Sequence, residues 1–596
     1  MNNLRNFCVI SHIDHGKTTL TDRFLELAHA VNASKLTQRL LDSNPIEQER
    51  GITIKLAPVR LTYHLGSNIY YLNLIDTPGH VDFSYEVSRS LAACEGALLL
   101  VDATQGIQAQ TLSNAYKALS ANLEIIPVIN KIDLAAAEVD LVTKQLNEAL
   151  GFKKEEIKLI SAKTGAGVKD LLQEIIKRVP PPPTASAAGG PLKALVFNSV
   201  YDTHLGVVAY VRLFAGSLKK GDELMFLSNR HQFTAEAVGY FLPARHLTEN
   251  LSSGEVGFVA TGLKNISLAR VGDTLTSTDT PTDSPLPGYR EPKPMVFMDL
   301  YPSESGDFIK LKSALEKLRL VDASLNYSPV GSPVLGSGFK IGFQGLLHAE
   351  IVQERLEREF DLELISTSPA VEYQVELNKN HQLMAVRSPA EFPDPTLINL
   401  TREPVASMTI FTPKDYLGSV LTLCQNYRST LTDQQFFGNQ VKLSYDIPLQ
   451  ELISGFFNQL KSATSGFASL DWQWLDYRTA DVVKLTVLLN REEIEPLGVL
   501  TVRDKADRLA KDLALKLKKV IPRQQFELPI QVALGGKILA RETVKAFRKD
   551  VTAKLYGGDR TRAMKLLEKQ KKGKKRLKRI GSLNLPQEVF RALVQQ

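Results

Sequence analysis

Over the first 180 residues, apolar runs of strand length alternate with segments whose apolar positions return every three or four residues. Phe7 to Ile10, Ile69 to Asp76, Gly96 to Ala103, Ile125 to Asn130 and Ile157 to Ser161 are the strand-like runs. Between the last two, Val139, Val142, Leu146, Ala149 and Leu150 fall at helical spacing. Strands alternating with helices predict a mostly parallel sheet covered on both faces, a doubly wound α/β domain over 1–183.

The pattern then changes. Pro180 to Pro183 followed by TASAAGG reads as a stiff, then flexible, linker. From about Leu192 to Thr280 short strands are broken by glycine turns, which predicts a small β-barrel within 190–285. Two later segments share the order strand, helix, two strands, helix, strand. In the first the helices lie near Ile309 to Leu320 and Leu346 to Phe360; in the second, near Lys414 to Tyr427 and Leu449 to Thr464. Both fit split βαβ, ferredoxin-like domains, over 292–375 and 402–480. The connection from about Glu376 to Arg402 contains Pro389, Pro393 and Pro395 and is too short for another domain of roughly 100 residues. From 481 to 596 a basic α+β domain is expected, with a helix across Ala506 to Val520 and a turn at Gly535 to Lys537.

Composition narrows the class. The 596 residues, 43% hydrophobic and 23% charged, exclude disordered, collagen-like and membrane-spanning chains and require several domains. No apolar run approaches the roughly 20 residues that cross a bilayer, so the expected location is cytoplasmic, or peripheral on a membrane. Cys8, Cys94 and Cys424 lie far apart and read as reduced thiols rather than a disulfide or zinc framework. The net charge is +7, but from Lys537 to Ile580 there are 17 Lys or Arg against 4 Asp or Glu, so the rest of the chain is net negative. Lys571, Lys572, Lys574, Lys575, Arg576, Lys578 and Arg579 are therefore candidate RNA-binding residues. A solvated tail is the competing reading; Leu566, Leu567 and Leu577 among the charges favour folded structure.

The chemistry is concentrated at the carboxyl ends of the first strands. SHIDHGKTT, Ser11 to Thr19, lies between a strand and a helix, where Asp14, His15, Gly16, Lys17, Thr18 and Thr19 can surround phosphate oxygens. Lys17 would reach the β and γ phosphates and the Thr18 hydroxyl would ligate Mg²⁺. Thr53, in RGITI, offers a second hydroxyl to the metal from a mobile loop, and Asp76, in DTPG, a carboxylate near it. The Gly79 N–H would bind the γ-phosphate, so its loss would release two loops. DTPG alone would be merely a turn, and a lone histidine is more often structural; next to the γ-phosphate loop, His80 is the candidate to orient the attacking water. His12 and His15 carry no assigned catalytic role.

Asn130, Lys131, Ile132 and Asp133 follow the strand IIPVIN. A carboxylate at Asp133 accepts from the guanine N1–H and amino group, whereas adenine would leave it facing a lone pair, a mismatch worth roughly 10⁴ to 10⁵ in discrimination. Ser161, Ala162 and Lys163, again after a strand, offer a backbone N–H to the guanine O6. GTP with Mg²⁺ is thus the expected ligand pair. An RNA-binding scaffold whose nucleotide only marks occupancy, and an adenine-using enzyme, stand as alternatives from the residues alone.

These motifs resemble those of the translational GTPases, and the domain series is similar to that of elongation factor G without its extra domain at Glu376 to Arg402. RLLDSNPIEQERGITIK (Arg39 to Lys55), GFQGLLHAEIVQERLEREFDLELISTSPAVEYQV (Gly342 to Val375) and the basic stretch Gly535 to Gly581 narrow the resemblance to the elongation factor 4, or LepA, family. Ser11 stands where that family usually has alanine or glycine. The resemblance implies a monomeric, ribosome-dependent GTPase that contacts both ribosomal subunits, ribosomal RNA and tRNA, and not DNA. It also implies one-codon back-translocation of tRNAs under stress, with a role in initiation or small-subunit maturation as the alternative, and peripheral association with the cytoplasmic face of the bacterial inner membrane.

Overall fold

The structure is a computed structural model that describes residues 3–29, 41, 44–183, 190–287, 293–319, 322, 324–379, 381–523, 527–547 and 564. The basic run at Lys571 to Arg579 lies outside the described residues.

The N-terminal unit is a six-stranded sheet in the order β2-β3-β1-β4-β5-β6: β1 Leu4–Ser11, β2 Ala57–Leu65, β3 Asn68–Asp76, β4 Gly96–Asp102, β5 Glu124–Asn130 and β6 Lys158–Leu159. Only the edge pair β2–β3 is antiparallel. β1 and β4 are buried along their whole length, as strands covered on both faces must be, which is why they read as continuous apolar runs. Helices α1 Lys17–Leu27, α2 Pro45–Arg50, α3 Ser84–Ala92, α4 Ala109–Ser120, α5 Val139–Leu150 and α6 Val168–Arg178 complete the unit. Two apolar cores, one on each face, contain Cys8, Ile10, Leu99 and Val101 on one side and Phe7, Val9, Leu98 and Leu100 on the other. That alternation is the period-two consequence of strand geometry.

Residues 193–277 form an antiparallel, eight-stranded β-barrel unit around Val196, Val211, Phe226, Val259 and Leu275. Its seam with the first unit is polar and buried. Arg212, whose side chain is fully covered, pairs with Glu95 at 2.6 Å, and Glu95 also accepts from Asn6 at 2.8 Å. Arg60 pairs with Glu255 at 3.0 Å and lies 4.2 Å above the Tyr240 ring.

Two ferredoxin-like sheets follow. In the first, Val296–Pro302, Asn326–Ser332, Gly336–Phe343 and Leu364–Ser366 are covered by helices α7 Phe308–Arg319 and α8 Leu346–Phe360. In the second, the long strand Ile398–Pro413 lies between Gln440–Pro448 and Ser469–Thr479, with Thr430–Phe437 at the edge. The expected connection is more than a connection. Tyr373–Leu377 and Leu383–Val386 form a hairpin paired to the start of the long strand, so the second sheet reaches back past 402. The reason is length: 16 residues of strand would otherwise present an uncovered edge. The expected continuous helix from Leu449 is also interrupted, because Ser454 and Gly455 leave helical geometry.

In the C-terminal unit Val482–Leu489, Val499–Val502, Leu528–Leu534 and Lys537–Val544 make a sheet against the helix Arg503–Val520, around Leu485, Leu513, Leu517 and Val532. Among the described residues no helix is long and apolar enough to cross a membrane.

Truncating Glu95 to alanine would leave Arg212 buried without its carboxylate. The expected loss is roughly 3–5 kcal/mol, read as a lower urea midpoint for the first unfolding transition. An unchanged midpoint would contradict a structural role for this pair.

Candidate functional site

The segment from Ser11 to Gly16 turns from β1 into α1 with Asp14 at φ 60° and Gly16 at φ 94°, both in the left-handed region. Glycine is required at 16 for a second reason. A Cβ there would stand 2.4 Å from Asn130 Nδ2. The turn leaves the first N–H groups of α1 without intrahelical partners, which makes a cradle for an anion. The Ser11 hydroxyl is buried beneath it with no hydrogen-bond partner among the described residues.

Lys17 opens α1 and its ammonium lies 3.2 Å from Asp76 Oδ1 at the end of β3, while also donating to the Thr77 carbonyl. The Thr77 hydroxyl donates to Val9 O at 2.6 Å, tying the ends of β1 and β3 together. Gly79 faces the Ser11 to Ile13 backbone, which a Cβ there would meet at 3.5 to 3.7 Å, ordinary van der Waals contact. The fold therefore brings Lys17, Asp76 and Gly79 to one place. His80, the next residue, is one-fifth exposed and borders a cleft of about 580 Å³. The far wall of that cleft carries Gly345, Leu346, Ser469 and Trp472, from both ferredoxin-like units.

The base-recognition motif is joined to the phosphate loop directly. Asn130 Nδ2 donates to His15 O at 2.9 Å, and Asn130 Oδ1 accepts the Ala162 N–H at 2.9 Å. Lys131, itself at φ 64°, donates from Nζ to Asp14 O at 2.6 Å and pairs with Asp102 Oδ2 at 2.7 Å. Burial pushes the Asp102 carboxyl up, but Lys131 and Thr104 outweigh it and hold it below the usual carboxylate range. Ile132 N–H reaches the Ile160 carbonyl at 3.4 Å, and Ser161 Oγ accepts from Thr164 N–H at 3.1 Å. Asp133, Lys163, Thr19 and Asp14 are exposed, and Thr18 is half-buried.

Thr53 is buried in a segment organised by Glu47, whose carboxylate accepts from the N–H groups of Asn44, Ile54 and Lys55. Ile46, Phe83 and Ile351 form a small apolar cluster beside it, joined by Ile52, Ile54 and Leu347. The Thr53 segment thus packs on α8. Among the described residues no cluster of three His, Cys, Asp or Glu side chains is set to hold a metal.

Four family descriptions match the chain in order. They are the Elongation factor Tu GTP binding domain over residues 2–181, Elongation factor Tu domain 2 over 206–276, the Elongation factor G C-terminus over 401–488, and the GTP-binding protein LepA C-terminus over 489–595. Elongation factor 4 of Halalkalibacterium halodurans is 49% identical over 593 residues, covering 99% of this chain and 97% of its own length. That of Thermotoga maritima is 50% identical over 594 residues, covering 99% and 95%. The chain belongs to the elongation factor 4 (LepA) family. It is a GTP hydrolase of translation, and membership in this family implies interaction with the ribosome. A crystal structure of a Thermus thermophilus protein shares the fold, with a TM-score of 0.59 at 19% identity over 80% of this chain and 97% of that one.

Within this elongation factor 4 family member, some residues of the site carried a readable signal and others did not. Asp102 is the carboxylate that ends the apolar strand GALLLVD, a position parallel to that of Asp76, and that signal was available. The ties between the His80 turn and α8 join residues 265 positions apart, which no local pattern reveals.

His15 sits fully buried in the phosphate loop, and burial holds its imidazole down to about 4 from an ordinary 6.5. The neutral ring is therefore the folded form, and the unfolded chain binds the extra proton between these values. Stability is intact above pH 6.5 and is expected to fall toward pH 4 by about 1.4 kcal/mol per pH unit. Urea midpoints across this range should show the slope, and His15→Asn should reduce it, leaving the share of His12, whose imidazole burial holds down to about 3. An equal slope in both proteins would contradict the assignment.

Proposed function

We propose that GTP is bound with its phosphates on Asp14 to Thr19 and its base against Asn130 to Asp133 and Ser161 to Lys163. The observation that carries this reading is the pair of hydrogen bonds by which Asn130 joins His15 to Ala162, making one rigid seat from two motifs. Asp133 recognises the guanine N1–H and amino group. A backbone N–H of the Ser161 to Lys163 loop, other than that of Ala162 which Asn130 holds, serves O6. Lys17 neutralises the β and γ phosphates and Gly79 N–H meets the γ-phosphate.

Mg²⁺ fits this donor set, because Thr18, Thr53 and Asp76 are all hard oxygen donors and phosphate oxygens complete such a shell. When bound, the ion would offset phosphate charge. Lys17 and Asp76, 3.2 Å apart, are the two opposite charges that would turn to the phosphates and the ion.

His80 positions the attacking water. The described residues offer no arginine aimed at the γ-phosphate loop, so unaided turnover is slow and the ribosome accelerates it by about 10³ to 10⁵. We read the biological step as one-codon back-translocation of tRNAs under stress, by a monomer in the cytoplasm that leaves the ribosome after γ-phosphate loss. The basic end from Lys571 to Arg579 neutralises phosphates of ribosomal RNA and tRNA on both subunits, and the same charge suits transient contact with an anionic membrane face.

His80→Ala is expected to cut ribosome-stimulated single-turnover hydrolysis by roughly 10³ or more while leaving GTP affinity within about twofold. Parallel losses in binding and turnover would mean that His80 is structural, and unaltered turnover would remove it from the mechanism.

A further inference from the structure

The turn that carries His80 is bonded in two directions. His80 Nδ1 accepts the Asp82 N–H at 3.1 Å. The Asp82 side chain, almost fully buried, accepts on Oδ2 the N–H groups of Leu347 at 2.8 Å and His348 at 3.3 Å. Those N–H groups belong to the first turn of α8, in the first ferredoxin-like unit. A residue of the GTP-binding unit therefore caps a helix of another unit. The next residue reinforces the contact, since Phe83 packs with Ile46 and Ile351 and its ring lies 6.0 Å from that of His348. His348 is in turn held by Asp322 at 2.8 Å.

Gly345 records the same contact from the other side. It precedes α8 at φ −172°, an extended conformation open to any residue, so backbone freedom does not explain a glycine there. Space does. A Cβ at 345 would lie 2.2 Å from the Asp82 carboxylate carbon.

A neutral imidazole has one nitrogen that accepts and one that donates. With Nδ1 engaged by the Asp82 N–H, the His80 Nε2 carries the hydrogen and has no lone pair to accept one from water. We propose that Asp82 is a positioning residue for GTP hydrolysis. By capping α8 it holds the turn in the arrangement in which His80 Nδ1 is occupied, and His80 engages water only after the turn leaves α8. The first ferredoxin-like unit thereby restrains turnover in the free protein. This inference rests on the assignment of His80 made above.

The test is single-turnover GTP hydrolysis by the full chain, with and without ribosomes, for Asp82→Ala, Asp82→Asn, Gly345→Ala and the double variant Asp82→Ala with Gly345→Ala. Gly345→Ala opens the cap without altering the GTP-binding unit. Capping shifts an equilibrium by a factor of roughly 2 to 30, so Asp82→Ala and Gly345→Ala should each raise the ribosome-free rate about fivefold. GTP affinity should not change, and the ratio of stimulated to free rates should fall. Asp82→Asn, which keeps an acceptor oxygen, should restore the slow rate, and the double variant should be no faster than either single. A ribosome-free rate at the wild-type value in either alanine variant, or gains that multiply in the double variant, would overturn the proposal. His80→Ala measured alongside separates the two levels. Lost stimulation in His80→Ala with unaltered cap variants defeats the coupling alone, whereas normal hydrolysis in His80→Ala defeats the assignment beneath it.

Discussion

Asn130 is the side chain on which the nucleotide site depends. Its amide has two ends, and each meets a different loop: the nitrogen donates to the phosphate loop at His15 and the oxygen accepts from Ala162. Both bonds are buried, where an unmade partner costs about 1–3 kcal/mol, so neither loop can move without penalty to the other. Lys131 adds a second tie through Asp14 O and the Asp102 carboxylate. Gly16 completes the arrangement, since any side chain there would occupy the space of the Asn130 amide. Recognition of the base and seating of the phosphates are thus one mechanical unit rather than two adjacent ones.

The segments proposed to respond to nucleotide are held differently. α2 meets α8 through Arg50 with Glu350 and Glu354, and through Glu49 with Arg358, all partly exposed. Pairs of this kind contribute about 0–1 kcal/mol each, so they set register more than strength. The apolar contact beneath them, Ile46 with Phe83 and Ile351, is small. An interface built this way can separate at modest cost, as a switch requires. The seam between the first unit and the barrel is the opposite case. There buried Arg212 and Asn6 interlock on the half-buried Glu95, and the two units should move together.

Much of this was readable in the chain because the GTP-binding unit writes its function at strand ends. Lys17, Asp76, Asn130 and Ala162 each follow an apolar run, and the structure gathers them at the carboxyl edge of one sheet. The ferredoxin-like order of elements was equally plain, since it depends only on local periodicity. Contacts distant in sequence were not. The hairpin Tyr373 to Val386 hides in a stretch whose prolines read as a connection, and it is a strand pair only because the long strand from Ile398 needs a partner. The break at Ser454 and Gly455 falls on a pair of weak helix formers, with Gly455 at φ 83° in the left-handed region, inside a sequence that otherwise reads as helix. Asp82 and Gly345 acquire meaning only when brought together.

The central claim is that Asn130 holds the phosphate loop as well as serving the base. Calorimetry with two ligands, GTP and a base-free ribose triphosphate, on the parent protein and on Asn130→Ala tests it most directly. If the clamp governs the loop, both ligands lose affinity, the base-free one by about tenfold, in line with one buried hydrogen bond. If GTP alone weakens and the base-free ligand binds as before, Asn130 serves the base only and the account of a single rigid seat is wrong.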